Sequence, residues 1–154
     1  MYKASLVDAI FTRIGAQDRI LDNKSTFFVE LEETKEILDK ATDKSLVIVD
    51  ELGRGTSTFD GYALAHAVLQ YLAFKQKCLT MFTTHYRWLV RDFEKHQEVG
   101  VYTMAVEKRK TSEGLGETSE ALAETAGGKK DRTVKFLYKF VKGVAESSFG
   151  LGVA

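Results

Sequence analysis

The most restrictive feature of the sequence is a short apolar run that ends abruptly on two acids: Ser45-Leu46-Val47-Ile48-Val49, then Asp50-Glu51. An unbroken aliphatic, β-branched run too short for a typical helix predicts a strand buried on both faces, as in a parallel sheet. A second such run, 78–84 (CLTMFTT), ends in His85. Between the two lie a Gly/Ser/Thr loop, 52–59 (LGRGTSTF), and a stretch from Asp60 to Lys75 that is apolar nearly all round. That stretch reads as a well-buried helix. Strand, helix, strand in this order indicates an α/β layer with parallel strands.

The flanks extend the pattern. Residues 6–14 predict a strand leading into Gly15, and 16–24 a loop. Ser25 or Thr26 can cap a helix over 26–41, with Phe27, Leu31, Thr34 and Leu38 on one face. Glu30, Glu32, Glu33 and Glu36 fall toward its early turns, where the dipole favours acids. Tyr86 to Lys95 predicts another helix. The last part differs. Residues 99–107 and 133–141 read as the strands of a hairpin, with Val134, Phe136, Tyr138 and Phe140 alternating with Thr133, Lys135 and Lys139. Between them, 111–132 is small, polar and low in complexity, which predicts a disordered insertion in that hairpin.

Composition removes several function classes. At 44% hydrophobic and 29% charged, the 154 residues do not describe a wholly disordered chain. Lys plus Arg equals Asp plus Glu, 22 each, so the chain has no net basic field for tight nucleic-acid binding. Its densest basic run is Lys108-Arg109-Lys110. No apolar run reaches the length of a transmembrane helix, and the N-terminus lacks a signal-peptide pattern. Cys78 is the single cysteine, which excludes an internal disulfide and a Cys-rich zinc site and fits a reducing compartment. It reads as a small core hydrophobe.

The chemistry concentrates at the strand ends. In open α/β sheets, ligands bind beyond the carboxyl ends of the strands. Asp50-Glu51 there can hold Mg²⁺ and polarise an attacking water; the plain alternative is two solvated acids. The Gly-Arg-Gly-Thr-Ser-Thr loop that follows favours the first reading, since glycines and hydroxyls suit close approach to phosphate or to a second backbone. His85 is expected at the same sheet edge, where it can hydrogen-bond a phosphate or a water, or serve structure alone. Ser25-Thr26 is either an anion site at a helix N-terminus or an ordinary cap. His66 reads as a core residue and His96 as a surface one. A phosphate-binding G-x-x-x-x-G-K-[ST] loop is not found. Gly127-Gly128-Lys129-Lys130 has Ala123 for the first glycine and Lys130 for Ser/Thr, and Asn23-Lys24-Ser25-Thr26 has Asn23 for the second glycine.

Four stretches carry a family resemblance: STFFVELEET (25–34), SLVIVDELGRGTSTFDG (45–61), TTHY (83–86) and FLYKFVKG (136–143). They closely resemble the C-terminal ATPase domain of the MutS family of DNA mismatch repair proteins, and the DELGRGTSTFDG block is highly specific to it. The likeness runs from Leu6 to Ala154 apart from 111–132. STFFVEL and FLYKFVKG look most like the eukaryotic mismatch-reading subunit of the MutSα heterodimer. The resemblance implies a partial ABC-type P-loop NTPase fold, ATP and Mg²⁺ as cofactors, and a second MutS-family subunit as partner. It further implies mismatched DNA bound through other domains, no membrane, and the nucleus as location. By position, it implies Asp50 as the magnesium-binding aspartate, Glu51 as the general base and His85 as the switch that senses the γ-phosphate. Ser25, with Thr26, matches the signature that reaches the partner's nucleotide. Gly53, Gly55, Thr56, Ser57 and Thr58 match a loop that crosses the dimer interface.

Two departures stand out. The family places a glycine where this chain has Asn23, and Asn tolerates the left-handed geometry such a turn needs. The family's Walker A loop would precede Met1 and its C-terminal dimerisation helices would follow Ala154, so the chain is expected to be a fragment of such a domain. The missing loop motivates a second reading, a non-catalytic interaction or dimerisation module. A third is an ABC-type head of a chromosome-maintenance family. Those carry an LSGGQ-like signature, where this chain has STFFVEL.

Overall fold

The computed structural model describes residues 6–15, 25–110 and 132–145, in two compact units, Met1–Val99 and Gly100–Ala154. In the first unit, strand β1 (Ile10–Arg13), helix α1 (Thr26–Lys40), strand β2 (Leu46–Asp50), helix α2 (Thr58–Gln70), strand β3 (Leu79–Thr83) and helix α3 (Arg87–Phe93) follow one another. The strands run parallel in the order β1-β2-β3, with β2 central. Parallel pairing brings all three carboxyl ends to one edge, with Arg13 opposite Val49 and Asp50 opposite Thr83.

One face of the sheet supplies the core. Val47 and Val49 pack with Ile37 and Ala41 from the end of α1, with Val68 of α2, and with Leu52, Leu72 and Cys78. A smaller cluster joins Ala65, Tyr86, Leu89 and Phe93. Leu52, Leu72 and Leu89 are sealed from solvent, and such burial contributes roughly 1.5–3 kcal/mol per side chain. Cys78 sits in the first cluster, as its expected role as a small hydrophobe requires.

Three sequence expectations need correction. First, among the described residues β2 is fully buried on one face: Val47 and Val49 are buried while Leu46, Ile48 and Asp50 are half-buried. Strand β3 alternates likewise, with Leu79 and Met81 exposed. The core helices share one cluster with Val47 and Val49; the opposite face carries Ile10, Leu46 and Leu79 in register. Second, α1 buries Val29, Glu30, Thr34 and Ile37, so of the expected Phe27-Leu31-Thr34-Leu38 face Thr34 is buried and Leu38 packs against the core, while Leu31 is exposed. A glutamate occupies a core-facing position because Arg13 meets it there. The first turn of α1 contains no acid, so Glu30 is not placed by the helix dipole. Third, α2 buries only Gly61, Ala65 and Val68, and Phe59 is exposed. It then widens into a π-helical turn, Tyr71–Gln76, which Lys77 ends with a left-handed φ of 59°. The expected strand over 6–14 is confined to Ile10–Arg13, and the loop 16–24, Asn23 included, lies outside the described residues.

The second unit is the expected antiparallel pair, β4 (Tyr102–Lys110) and β5 (Arg132–Lys142). Its register jumps from Met104↔Phe140 to Val106↔Phe136, and Tyr138 takes a positive φ of 52° within that bulge. Arg132, expected in the insertion, opens β5; the rest of the insertion lies outside the described residues. Among the described residues, no helix is long and apolar enough to cross a membrane.

Candidate functional site

The carboxyl edge of the sheet is built by the pairing of β2 with β3. The Thr83 hydroxyl donates to Asp50 Oδ1. The Glu51 N–H is directed at both the Thr83 carbonyl and its hydroxyl oxygen, each at 3.2 Å. Those contacts hold Glu51 at φ 49°, a left-handed conformation that a non-glycine residue adopts at a cost of about 1–3 kcal/mol. The turn takes the chain off the sheet and leaves the Glu51 side chain partly exposed. Its Oε2 lies 2.7 Å from Arg54 Nη1, an exposed pair of small energetic weight.

Beside Glu51 opens a cleft of about 240 Å³ lined by Glu51, Gly53, Arg54, Thr56, Thr58, His85 and Tyr86. Its rim is the turn from Leu52 to Gly61. Gly53 has a φ of 94°, and a Cβ there would lie 2.6 Å from the Gly61 Cα, so two backbones touch. The Gly53 N–H donates to Glu30 Oε1 at 2.9 Å, and the Tyr86 hydroxyl donates to the Gly53 carbonyl at 3.0 Å. Burial, aided by the nearby Glu30 charge, pushes the Tyr86 phenol above its ordinary pKa and keeps it a neutral donor. Ser57 caps α2, accepting from the Asp60 N–H at 3.2 Å and donating to its carboxylate at 2.7 Å. This cap closes the turn.

The candidate residues therefore divide. Glu51, Gly53, Thr56, Thr58 and His85 line one cleft. Asp50 lies at its strand end, bonded to Thr83. Ser57 acts as a cap, and Gly55 lies against Phe27, where a Cβ would meet the Phe27 Cα at 3.0 Å. Of the two uses open for the glycines, Gly53 is engaged in close approach to a second backbone. Ser25 caps α1, accepting from the Phe28 N–H at 3.2 Å, and Thr26 opens the helix; neither lines the cleft. His66 is not sealed in the core: it is about one-third exposed, 3.7 Å from Asp92 and against the Phe93 ring, because it sits at the border of α2 and α3. His96 is exposed beside Phe74, as expected.

Sequence reasoning missed Thr83, Arg54, Tyr86, Glu30 and Arg13. Thr83 could have been found by aligning the two apolar runs, since it falls opposite Asp50. Tyr86 follows His85 directly but has no local mark of its function. Among the described residues, no group of three or more His, Cys, Asp or Glu could hold a metal alone. Magnesium commonly takes only one or two carboxylates, with waters and substrate phosphates completing its shell. Asp50 and the Thr83 hydroxyl supply a compatible all-oxygen set.

Fold and site together define a parallel α/β domain whose carboxyl edge carries two acids, a hydroxyl-rich turn and a histidine. Comparison with known proteins makes this specific. Residues 1–154 match the family model described as MutS domain V. The chain is 46% identical over 148 residues to the DNA mismatch repair protein Msh6 of Gallus gallus and to that of Homo sapiens, covering 96% of this chain and 10% of each relative. It is 45% identical over 152 residues to the DNA mismatch repair protein MSH3 of Chaetomium globosum, covering 97% of this chain and 13% of that protein. The chain belongs to the MutS family of DNA mismatch repair proteins. It spans roughly a tenth of the length of these curated relatives.

Proposed function

We propose that this chain is part of the ATPase domain of a eukaryotic mismatch repair subunit, and that ATP binding and hydrolysis at its cleft drive mismatch-dependent clamp changes in the whole protein. The observation that supports this most directly is the left-handed turn that places Glu51 in the same cleft as His85. In this reading the fold is of the ABC type and residues 1–154 form a partial ATPase domain, with 111–132 an insertion. The Glu51 carboxylate accepts the proton of the attacking water while the water oxygen bonds to the γ-phosphorus and the bond to the ADP oxygen breaks. His85 hydrogen-bonds the γ-phosphate. Asp50 would hold Mg²⁺, which supplies neutralisation of phosphate charge. Thr83 keeps the Asp50 carboxylate oriented. Gly53, Gly55, Thr56, Ser57 and Thr58 face a second MutS-family subunit, and Ser25 with Thr26 reaches that subunit's nucleotide through the free N–H groups of α1. Mismatched DNA is bound elsewhere in the protein, and the work is nuclear.

Glu51→Ala in the full-length protein is expected to lower ATP turnover by about 10²-fold or more while leaving ATP binding nearly intact. A second reading is an interaction or dimerisation module without catalysis. Unchanged turnover in Glu51→Ala would favour it.

A further inference from the structure

Arg13 and Glu30 form a buried ion pair that the proposed hydrolysis does not use. Their side chains are 6% and 3% exposed, and Arg13 Nη2 lies 3.3 Å from Glu30 Oε1. Arg13 also donates to the Gly15 carbonyl, and its Nε lies 3.2 Å from Glu33 Oε2. A buried pair of this kind is weak evidence for stability, because well-packed apolar residues often do as well. Its use is better sought in what else it holds. Glu30 Oε1 is also the acceptor for the Gly53 N–H. Gly53 is thus gripped by both of its backbone groups, the N–H by Glu30 and the carbonyl by Tyr86. Gly61 presses on it from the far end of the same turn, and Phe27 of α1 abuts Gly55.

We infer that Glu30 and Tyr86 are positioning residues that clamp Gly53, making α1, the Leu52–Gly61 turn and the start of α3 one rigid unit that sets where Glu51 points. Arg13 holds the Glu30 carboxylate in place. Gly53 is two residues from Glu51, so a slip of the turn moves the carboxylate directly, and a misplacement of about 1 Å can cost as much as 10²-fold in rate. The same clamp ties the cleft to the helix that Ser25 caps. The inference deepens the ATPase reading and rests on it for its kinetic consequence.

The test is Tyr86→Phe in the full-length protein, which removes one hydroxyl and retains the ring's packing. Losing one hydrogen bond of this kind is expected to lower kcat by about three- to tenfold, with KM for ATP changed by less than about twofold. Amide exchange at Gly53 and Arg54 should accelerate severalfold while exchange in β2 stays as it was. Glu30→Gln, which keeps an acceptor oxygen, should retain Gly53 protection that Glu30→Met loses. If Glu30→Met does not fold, Tyr86→Phe decides alone. Unchanged kcat together with unchanged exchange at Gly53 would overturn the clamp. So would a uniform rise in exchange across the unit with kcat and KM both altered, which describes general loosening. If Glu51→Ala shows that the ATPase reading itself fails, amide exchange in Tyr86→Phe still judges the clamp.

Discussion

Leu72 in the first unit is sealed from solvent, whereas Tyr138 in the second is 85% exposed and Phe140 67%. Both units contain strands rich in large apolar residues, so strand composition does not separate them. Layering does. A parallel sheet joined by helices stacks one layer on another and closes a core. Among the described residues the second unit is a two-stranded ribbon, in which Tyr102 stacks on Phe140 at 4.7 Å across the strands. The candidate chemistry lies in the layered unit, where a strained Glu51 and a tightly gripped Gly53 have packed surroundings to hold them.

This contrast can be broken by three measurements. Leu72→Ala should destabilise the protein by about 2–5 kcal/mol, through lost burial and the cavity left behind. A calorimetric melt reads the effect, and a loss of under about 1 kcal/mol would mean the first core collapses easily around the gap. Gly61→Ala should cost about 1–3 kcal/mol, because its Cβ would run into the Gly53 carbonyl and the Tyr86 hydroxyl. The same melt should show it, and a neutral result would mean the two backbones can part freely. Phe140→Ser should stay within about 0.5 kcal/mol, as exposed substitutions usually do. A larger loss would show that the ribbon's aromatic face is covered in solution, and the distinction between the two units would then narrow.

Some of this was legible in the sequence. The run Leu46–Val49 announces a strand because the signal is local: aliphatic, β-branched, short and ended by two acids. The convergence of Glu51 and His85 followed from two such runs in parallel. The buried face of α1 was misjudged because hydrophobic periodicity counts a glutamate as outward-facing, and only the Arg13 partner reverses that. His66 was misjudged for the opposite reason: an apolar helix predicts burial, but the border between α2 and α3 leaves its ring partly open. The π-helical turn at Tyr71–Gln76 left no mark in the residue pattern.

The sequence by itself determined the parallel strands, the acid pair at a strand end, the glycine-rich turn and the family these define. Each is written in a contiguous stretch, where backbone preference and side-chain periodicity act over a few residues. The tertiary structure decided what those stretches do to one another. It closed one face of the sheet, turned two glycines back to back, and put a buried glutamate under the turn that carries the candidate base. Those outcomes depend on which atoms meet across long gaps in the chain. Whether a charge can be buried, or a strained turn held, is settled by the partner it finds there.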